Sequence, residues 1–386
     1  MSKNLRARRY KDKVFRASCL TMVLCAFIFM ASFFISIAID AYQSFWIYTI
    51  DVATQNKKLD KMELAFSALY KSLSLAEKDR AYTQQQVLSN RADEEFAARD
   101  LNSNSAQITL SSKIYELLKN GEVSDPVVNS FVKEAQHAGL IKKQFSLFLL
   151  TNQESRDPEF AGITTSLLGS LISILIALAI SIPLALFSAI YLEGMVSANS
   201  KIASLIRTNI ANLASVPSIV YGIVGFAIYI EYFDMPRSSG IVGGLTLMLI
   251  TVPNLIVTYS TALRTVPNTI KNAAIALGLT NQQVIFHHVV PYCIPGLITG
   301  TMLMLARIFG ETAPLLMIGM AAFVVDLPGS VLDPTTVLPM QIYLWADSPE
   351  FEFVIKSSGA IIVLLLILMI IGIIALKIKK KYTIKW

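Results

Sequence analysis

Long stretches without one charged side chain decide most of what this chain can become. No Asp, Glu, Lys or Arg occurs from Ala17 to Ile39, Ile163 to Leu192, Thr208 to Ile230, Ser238 to Leu263 or Ser357 to Leu376. At about 1.5 Å per helical residue each can cross a hydrocarbon core of ~30 Å. A sixth run, Val289 to Val325, is apolar except for Arg307 and Glu311. Only a helix satisfies its own backbone across lipid while being this continuously apolar. The reading is an all-α membrane protein with six transmembrane helices. Its composition, 54% hydrophobic and 16% charged, is too apolar for an ordinary soluble domain.

The charges are segregated between the runs, and their placement sets domains and orientation. Residues 1–16 form a basic tail in which Lys3, Arg6, Arg8, Arg9, Lys11, Lys13 and Arg16 oppose Asp12. Residues 17–39 are the first transmembrane helix. A cleaved signal peptide is the competing reading and is not expected, because the apolar region is too long and no A-x-A-like site precedes Asp40. Residues 161–376 are a core of five further helices, and 377–386 a second basic tail. Basic loops around Lys201 and Arg207 and around Arg264 and Lys271 contrast with Asp326 to Glu352, which carries five acids and no Lys or Arg. The positive-inside rule puts both termini and the 264–291 loop in the cytoplasm.

Between the first two runs, residues 40–160 are polar and slightly acidic, and the same rule places them outside. Leu59, Met62, Phe66, Leu69, Tyr70 and Leu73 recur at helical spacing, as do Ile108, Ile114, Leu117 and Leu118. Gly121 to Pro126 reads as a turn. The expectation is a mainly helical periplasmic insertion that packs on the membrane part. The net charge of +6 comes from residues flanking spans, which argues against nucleic-acid binding. Cys19, Cys25 and Cys293 fall in or beside apolar runs, so no disulfide framework is expected.

Val266 to Leu316 joins a polar half to an apolar half. Pro267 can open a first short helix and Gly278 close it in a left-handed cap. Thr280 or Asn281 can cap a second, which Pro291 ends. Arg307 and Glu311 then lie four residues apart on one face of an otherwise uncharged helix, where ionisable groups are costly and face a partner or a pore. A structural ion pair and a pair lining a path are both compatible with that spacing. Adjacent His287 and His288, with His137 remote, have no metal-ligand spacing. No G-x-x-x-x-G-K-[ST] phosphate loop and no nucleophile arrangement of the Ser-His-Asp type occurs, so the chain is not expected to be an enzyme or to bind a cofactor.

These residues resemble the EAA loop of ABC-importer permeases. Asn272-Ala273-Ala274, Gly278 and Val290-Pro291 fall at the family spacing, with Asn272 in place of the usual Glu and His288 in place of the usual Ile. Ala306-Arg307-x-x-Gly310-Glu311-Thr312-Ala313-Pro314-Leu315-Leu316 is similar to a segment of PstA-type subunits of phosphate importers. Asn212 to Gly222 and Asp333-Pro334 with Val337-Leu338-Pro339-x-Gln341-Ile342-Tyr343 are further matches. The resemblance runs from Ile163 to the C-terminus and includes the first helix.

It implies a type I permease fold in a bacterial inner membrane and import of inorganic phosphate. It also implies pairing with a PstC-type permease, a dimer of ATPase subunits that bind ATP and Mg, and a periplasmic phosphate-binding protein. Asn272, Ala273, Ala274, Gly278 and Pro291 belong by resemblance to the loop that docks on the ATPase. Arg307 and Glu311 become candidates for the substrate path. A guanidinium offers forked donors to two phosphate oxygens, and a carboxylate accepts from the proton that hydrogen phosphate carries and sulfate lacks. A molybdate or sulfate permease would keep the EAA loop but is not expected to carry A-R-x-x-G-E-T-A-P-L-L. A receptor with an external domain fits the first two spans only and fails at the four that follow Leu192.

Overall fold

Four of the six apolar runs form single helices, and the other two, 208–230 and 289–325, are broken. The computed structural model describes residues 2–52, 106–109, 141–156, 158, 160–197 and 200–382. They fall into two units, one of residues 1–43, 148–156 and 160–386, the other of 44–147 with 157–159.

In the first unit α1 (Ser2–Gln43) is followed by the short α2 (Phe148–Thr151) and by α3 (Thr164–Ile190). A π turn, Tyr191–Met195, extends α3. Next come α4 (Lys201–Ala214), α5 (Ser218–Gly225), α6 (Gly240–Arg264), α7 (Asn268–Ala276) and α8 (Asn281–Val284). Then follow α9 (Val290–Phe309), α10 (Ala313–Met317), α11 (Leu338–Ala346) and α12 (Phe351–Tyr382). Among the described residues five helices are long and apolar enough to span a membrane, or six if one bent pair counts as a single span.

That bent pair replaces the single span expected from Thr208 to Ile230. Helix α4 stops at Ala214, and the segment starting with α5 leaves at 96°. The cause is Pro217. It has no N–H to continue the ladder and pushes Val216 towards extended backbone. Tyr221 donates its hydroxyl to Leu213 C=O at 2.7 Å, which fastens the elbow. Pro183, Pro253 and Pro295 sit inside continuous helices, so proline alone does not mark a break.

The core forms where α3 meets α6. Helix α3 buries Gly169, Ser170, Ser173, Ala177, Ser181 and Ala185, and α6 offers Gly240, Gly243 and Gly244. Small side chains allow close backbone approach, which drives helix association where lipid removes the hydrophobic advantage. A Cβ on Gly244 would lie 2.8 Å from Ser173 C=O, and one on Gly222 would lie 2.7 Å from the Cα of Pro314.

The second unit shows a three-stranded antiparallel sheet, β1 (Trp46–Val52) between β2 (Ala106–Thr109) and β3 (Ile141–Phe145). Thr49 pairs with Thr109 and Trp46 with Phe145. Ile108, placed by its spacing on a helix, therefore lies in a strand. The helical repeat of Leu59 to Leu73 and the Gly121–Pro126 turn lie outside the described residues.

Candidate functional site

The two halves of the 266–316 stretch build two separate sites. At one end α7 begins after Pro267 and ends before Gly278, whose φ is +88°. Thr280 opens α8 with a capping box: its hydroxyl accepts from Gln283 N–H, and the Gln283 side chain accepts from Thr280 N–H. Of the residues assigned here from sequence, Asn272, Ala273, Gly278 and Pro291 are exposed and Ala274 is buried. Leu277 is 83% exposed, with Ile275 and Phe286 also open. Three large apolar side chains left open beside a polar loop offer a surface for a partner.

Pro291 does not end the second helix. Asn281 through Phe309 runs on as one helix, carried past the proline by a π turn at Ile285–Val289. The wider turn accommodates a residue that lacks N–H and crowds the carbonyl four positions back. His287 Nδ1 lies 3.1 Å from Gln283 C=O, and both histidines are exposed.

Beneath these helices the π turn after α3 holds Glu193 in a knot of charge. Arg264, at the end of α6, donates Nε and Nη2 to the two carboxylate oxygens at 2.8 and 2.9 Å. Arg207 of α4 donates Nε to Glu193 at 3.1 Å and Nη2 to Leu192 C=O. Glu193, Lys271 and Ile285 line a small cavity below α7 and α8. An added Cβ on Gly194 would lie 2.6 Å from Ile285.

At the far end of α9, 16 residues from Pro291 or roughly 24 Å at helical rise, stands the second site. Gly296 packs opposite Ala262 and Gly300 opposite Thr258, and the Tyr259 hydroxyl lies 2.6 Å from that of Thr301. Continuing this antiparallel register sets Met304 opposite Asn254 of α6, and Arg307, about one turn further along α9, reaches the Asn254 side chain. Arg307 Nη1 donates to Asn254 Oδ1 at 3.3 Å and Nε to Glu311 at 3.4 Å. Nη2 has no partner among the described residues, and the arginine side chain is 47% exposed.

Glu311 reaches Arg307 from outside the helix. The sequence expectation had both on one helix face, but α9 stops at Phe309 and Glu311 lies in the break before α10. Pro314 would crowd the Gly310 carbonyl in a continued helix, so the chain turns there. The Glu311 side chain, 16% exposed, is nearly enclosed by that turn.

The family model described as binding-protein-dependent transport system inner membrane component matches residues 181–381, over half of the chain. This chain belongs to that family. It is a multi-pass membrane permease with the fold of ABC importers, and its relatives are transporter subunits rather than enzymes. The phosphate transport system permease protein PstA of Mycobacterium leprae is 31% identical over 56% of this chain and 69% of its own length. PstA of Yersinia pestis is 32% identical over 57% and 74%. The probable PstA of Methanocaldococcus jannaschii is 31% identical over 54% and 73%. Among solved structures, the inward-facing MetNI methionine ABC transporter aligns with a TM-score of 0.45 and 16% identity over 58% of this permease and 95% of that chain. Residues 2–126 match a second model, described only as a domain of unknown function.

Sequence reading missed two participants in these sites. Asn254 lies 53 residues from Arg307, and a lone amide in an apolar run has no spacing to betray it. Glu193 stands 71 residues from Arg264. The one available signal was its position as the first acid after a long uncharged run.

Proposed function

We propose that this permease carries inorganic phosphate inward across a bacterial inner membrane. The observation that carries the reading is Arg307: a half-exposed guanidinium on a membrane-spanning helix, with Nη2 unpartnered among the described residues and an enclosed carboxylate beside it. A forked donor binds two oxygens of an oxyanion. The Glu311 carboxylate accepts the hydrogen bond of a protonated one, which matches hydrogen phosphate and discriminates against sulfate. The curated relatives' phosphate-permease names support the same substrate.

Helices α7 and α8, with Asn272, Ala273, Ala274, Gly278 and Pro291, are the face on which an ATPase subunit docks, and ATP and Mg belong to that partner. A PstC-type permease completes the membrane part, and a periplasmic phosphate-binding protein delivers the substrate. Both termini face the cytoplasm and residues 40–160 the outside. A cysteine at Ser103 is then labelled by an impermeant reagent added to spheroplasts, and one at Thr383 is not; the reverse pattern overturns the orientation.

The substrate test is uptake of labelled phosphate by the assembled transporter in cells lacking other phosphate uptake. Excess sulfate or molybdate leaves that uptake unchanged. Displacement by either anion, or their uptake in place of phosphate, contradicts the assignment.

A further inference from the structure

Asn254 sits in the middle of α6, one residue after Pro253, in a span free of charge until Arg264. Asparagine is a poor residue for a helix interior because its side chain competes for backbone hydrogen bonds, and a polar amide in a span is costly. Its presence there asks for a reason beyond packing, and the geometry supplies one.

Both ends of the amide are committed. Nδ2 donates to Ile250 C=O of its own helix at 2.8 Å. A carbonyl can only accept, so the nitrogen must face it. Oδ1 accepts from Arg307 Nη1 at 3.3 Å, and a guanidinium can only donate. The two bonds assign the same orientation independently. Thr258 donates its hydroxyl to Asn254 C=O at 2.8 Å, tying the same turn together.

We propose that Asn254 is the positioning residue of the substrate site: clamped to Ile250, it presents a fixed neutral acceptor that turns the Arg307 guanidinium and leaves its Nη2 for the anion. The proposal rests on the reading of Arg307 as the phosphate-binding group. Glu311 holds Nε and Asn254 holds Nη1, so the plane of the fork is set from two sides. One tether alone would let the plane rotate about the bond that makes it. Neutrality matters as much as place. A carboxylate at position 254 would bind the guanidinium more strongly, but it would put a second negative charge where the oxyanion has to approach. The amide orients the arginine while leaving its charge for the substrate.

The test compares Asn254→Ala and Asn254→Asp with Arg307→Gln in the assembled transporter, measuring KM and maximal rate for inorganic phosphate at matched membrane levels. Asn254→Ala removes the acceptor and retains a good helix former, so it keeps the experiment decisive if the aspartate variant fails to assemble. The expected result is a KM raised about fivefold or more by Ala and further by Asp, with the maximal rate within about twofold of the parent for Ala. A packing role would instead lower the maximal rate and leave KM alone. In an Arg307→Lys background, which has no fork to orient, Asn254→Ala adds no further rise in KM. An unchanged KM in Asn254→Ala while Arg307→Gln abolishes uptake overturns the positioning role and leaves the phosphate site standing. Full uptake by Arg307→Gln overturns the site, and with it the role of Asn254.

Discussion

Two clusters in this permease pair arginine with glutamate, and they do it in opposite ways. Around Glu193, whose side chain is 10% exposed, Arg264 and Arg207 converge with contacts of 2.8 to 3.1 Å, and each also commits its Nη2. Around Arg307 one carboxylate and one amide stand at 3.4 and 3.3 Å, and Nη2 is left over. The first cluster has more carboxylate contacts than one glutamate needs for neutrality, and it joins α3, α4 and α6 beneath α7 and α8. The second retains donor capacity where the chain is open. A closed ion cluster fixes helix ends, and an open one is available for an anion. Residue type and apolar setting are shared, so the difference lies in which donors are committed.

The comparison breaks most sharply at Arg307. Arg307→Gln is expected to lower phosphate uptake at least about thirtyfold with the subunit still in the membrane, since truncating one partner of a hydrogen-bonded charge contact costs about 2–5 kcal/mol. Arg307→Lys restores little, because a point charge does not reproduce the fork. Uptake and membrane level of each variant, measured together, check both statements.

Gly278, on the face proposed to dock an ATPase, gives the next largest effect. Gly278 holds a positive φ, and a Cβ there meets nothing within 4 Å, so any loss in Gly278→Val comes from backbone strain of about 1–3 kcal/mol rather than from a clash. The variant is expected to lose several-fold in co-purified ATPase and in substrate-stimulated ATP hydrolysis. Normal values for both would remove α7 and α8 from the coupling role.

Glu193→Gln sharpens the contrast from the closed side. It removes the charge that two arginines share, at about 1–3 kcal/mol. It is expected to lower the detergent melting temperature by a few degrees while KM for phosphate stays unchanged. A KM shift there without loss of stability would contradict the division between the clusters.

The smallest effect belongs to Glu154, outside the membrane-spanning helices. Burial raises its pKa above the ordinary carboxylate value, against hydrogen bonds from Val324 N–H and Gln341 that lower it. A raised folded-state value favours folding most when the group is protonated. That contribution is present below about 4.5 and is lost as pH rises through the folded pKa. Glu154→Gln should flatten this fall of stability with pH, which melting curves between pH 4 and 8 would register.

Much of this was legible in the residues because it is local. Uncharged runs became helices, Thr280 capped α8, and Gly278 adopted the left-handed backbone. What escaped reading depends on neighbours. Pro217 makes an elbow whereas Pro183 and Pro253 are absorbed, and Pro291 is passed by a π turn, because packing decides whether a lost hydrogen bond is replaced. Arg307 and Glu311 are joined across a break rather than along a helix, set by Pro314 three residues beyond the pair. Asn254 could be found only after α6 and α9 were placed side by side. Ile108 joined a sheet through partners some sixty residues away, at Ile50.

The central claim is that Arg307 and Glu311 bind an anion rather than merely neutralise each other. Phosphate uptake by the double variant Arg307→Gln with Glu311→Gln, compared with each single change at matched membrane levels, tests it most directly. A pair that only neutralises itself is repaired when both charges go, so uptake would recover well above either single variant, and that recovery would contradict the account. The account predicts that the double variant stays as inactive as Arg307→Gln alone.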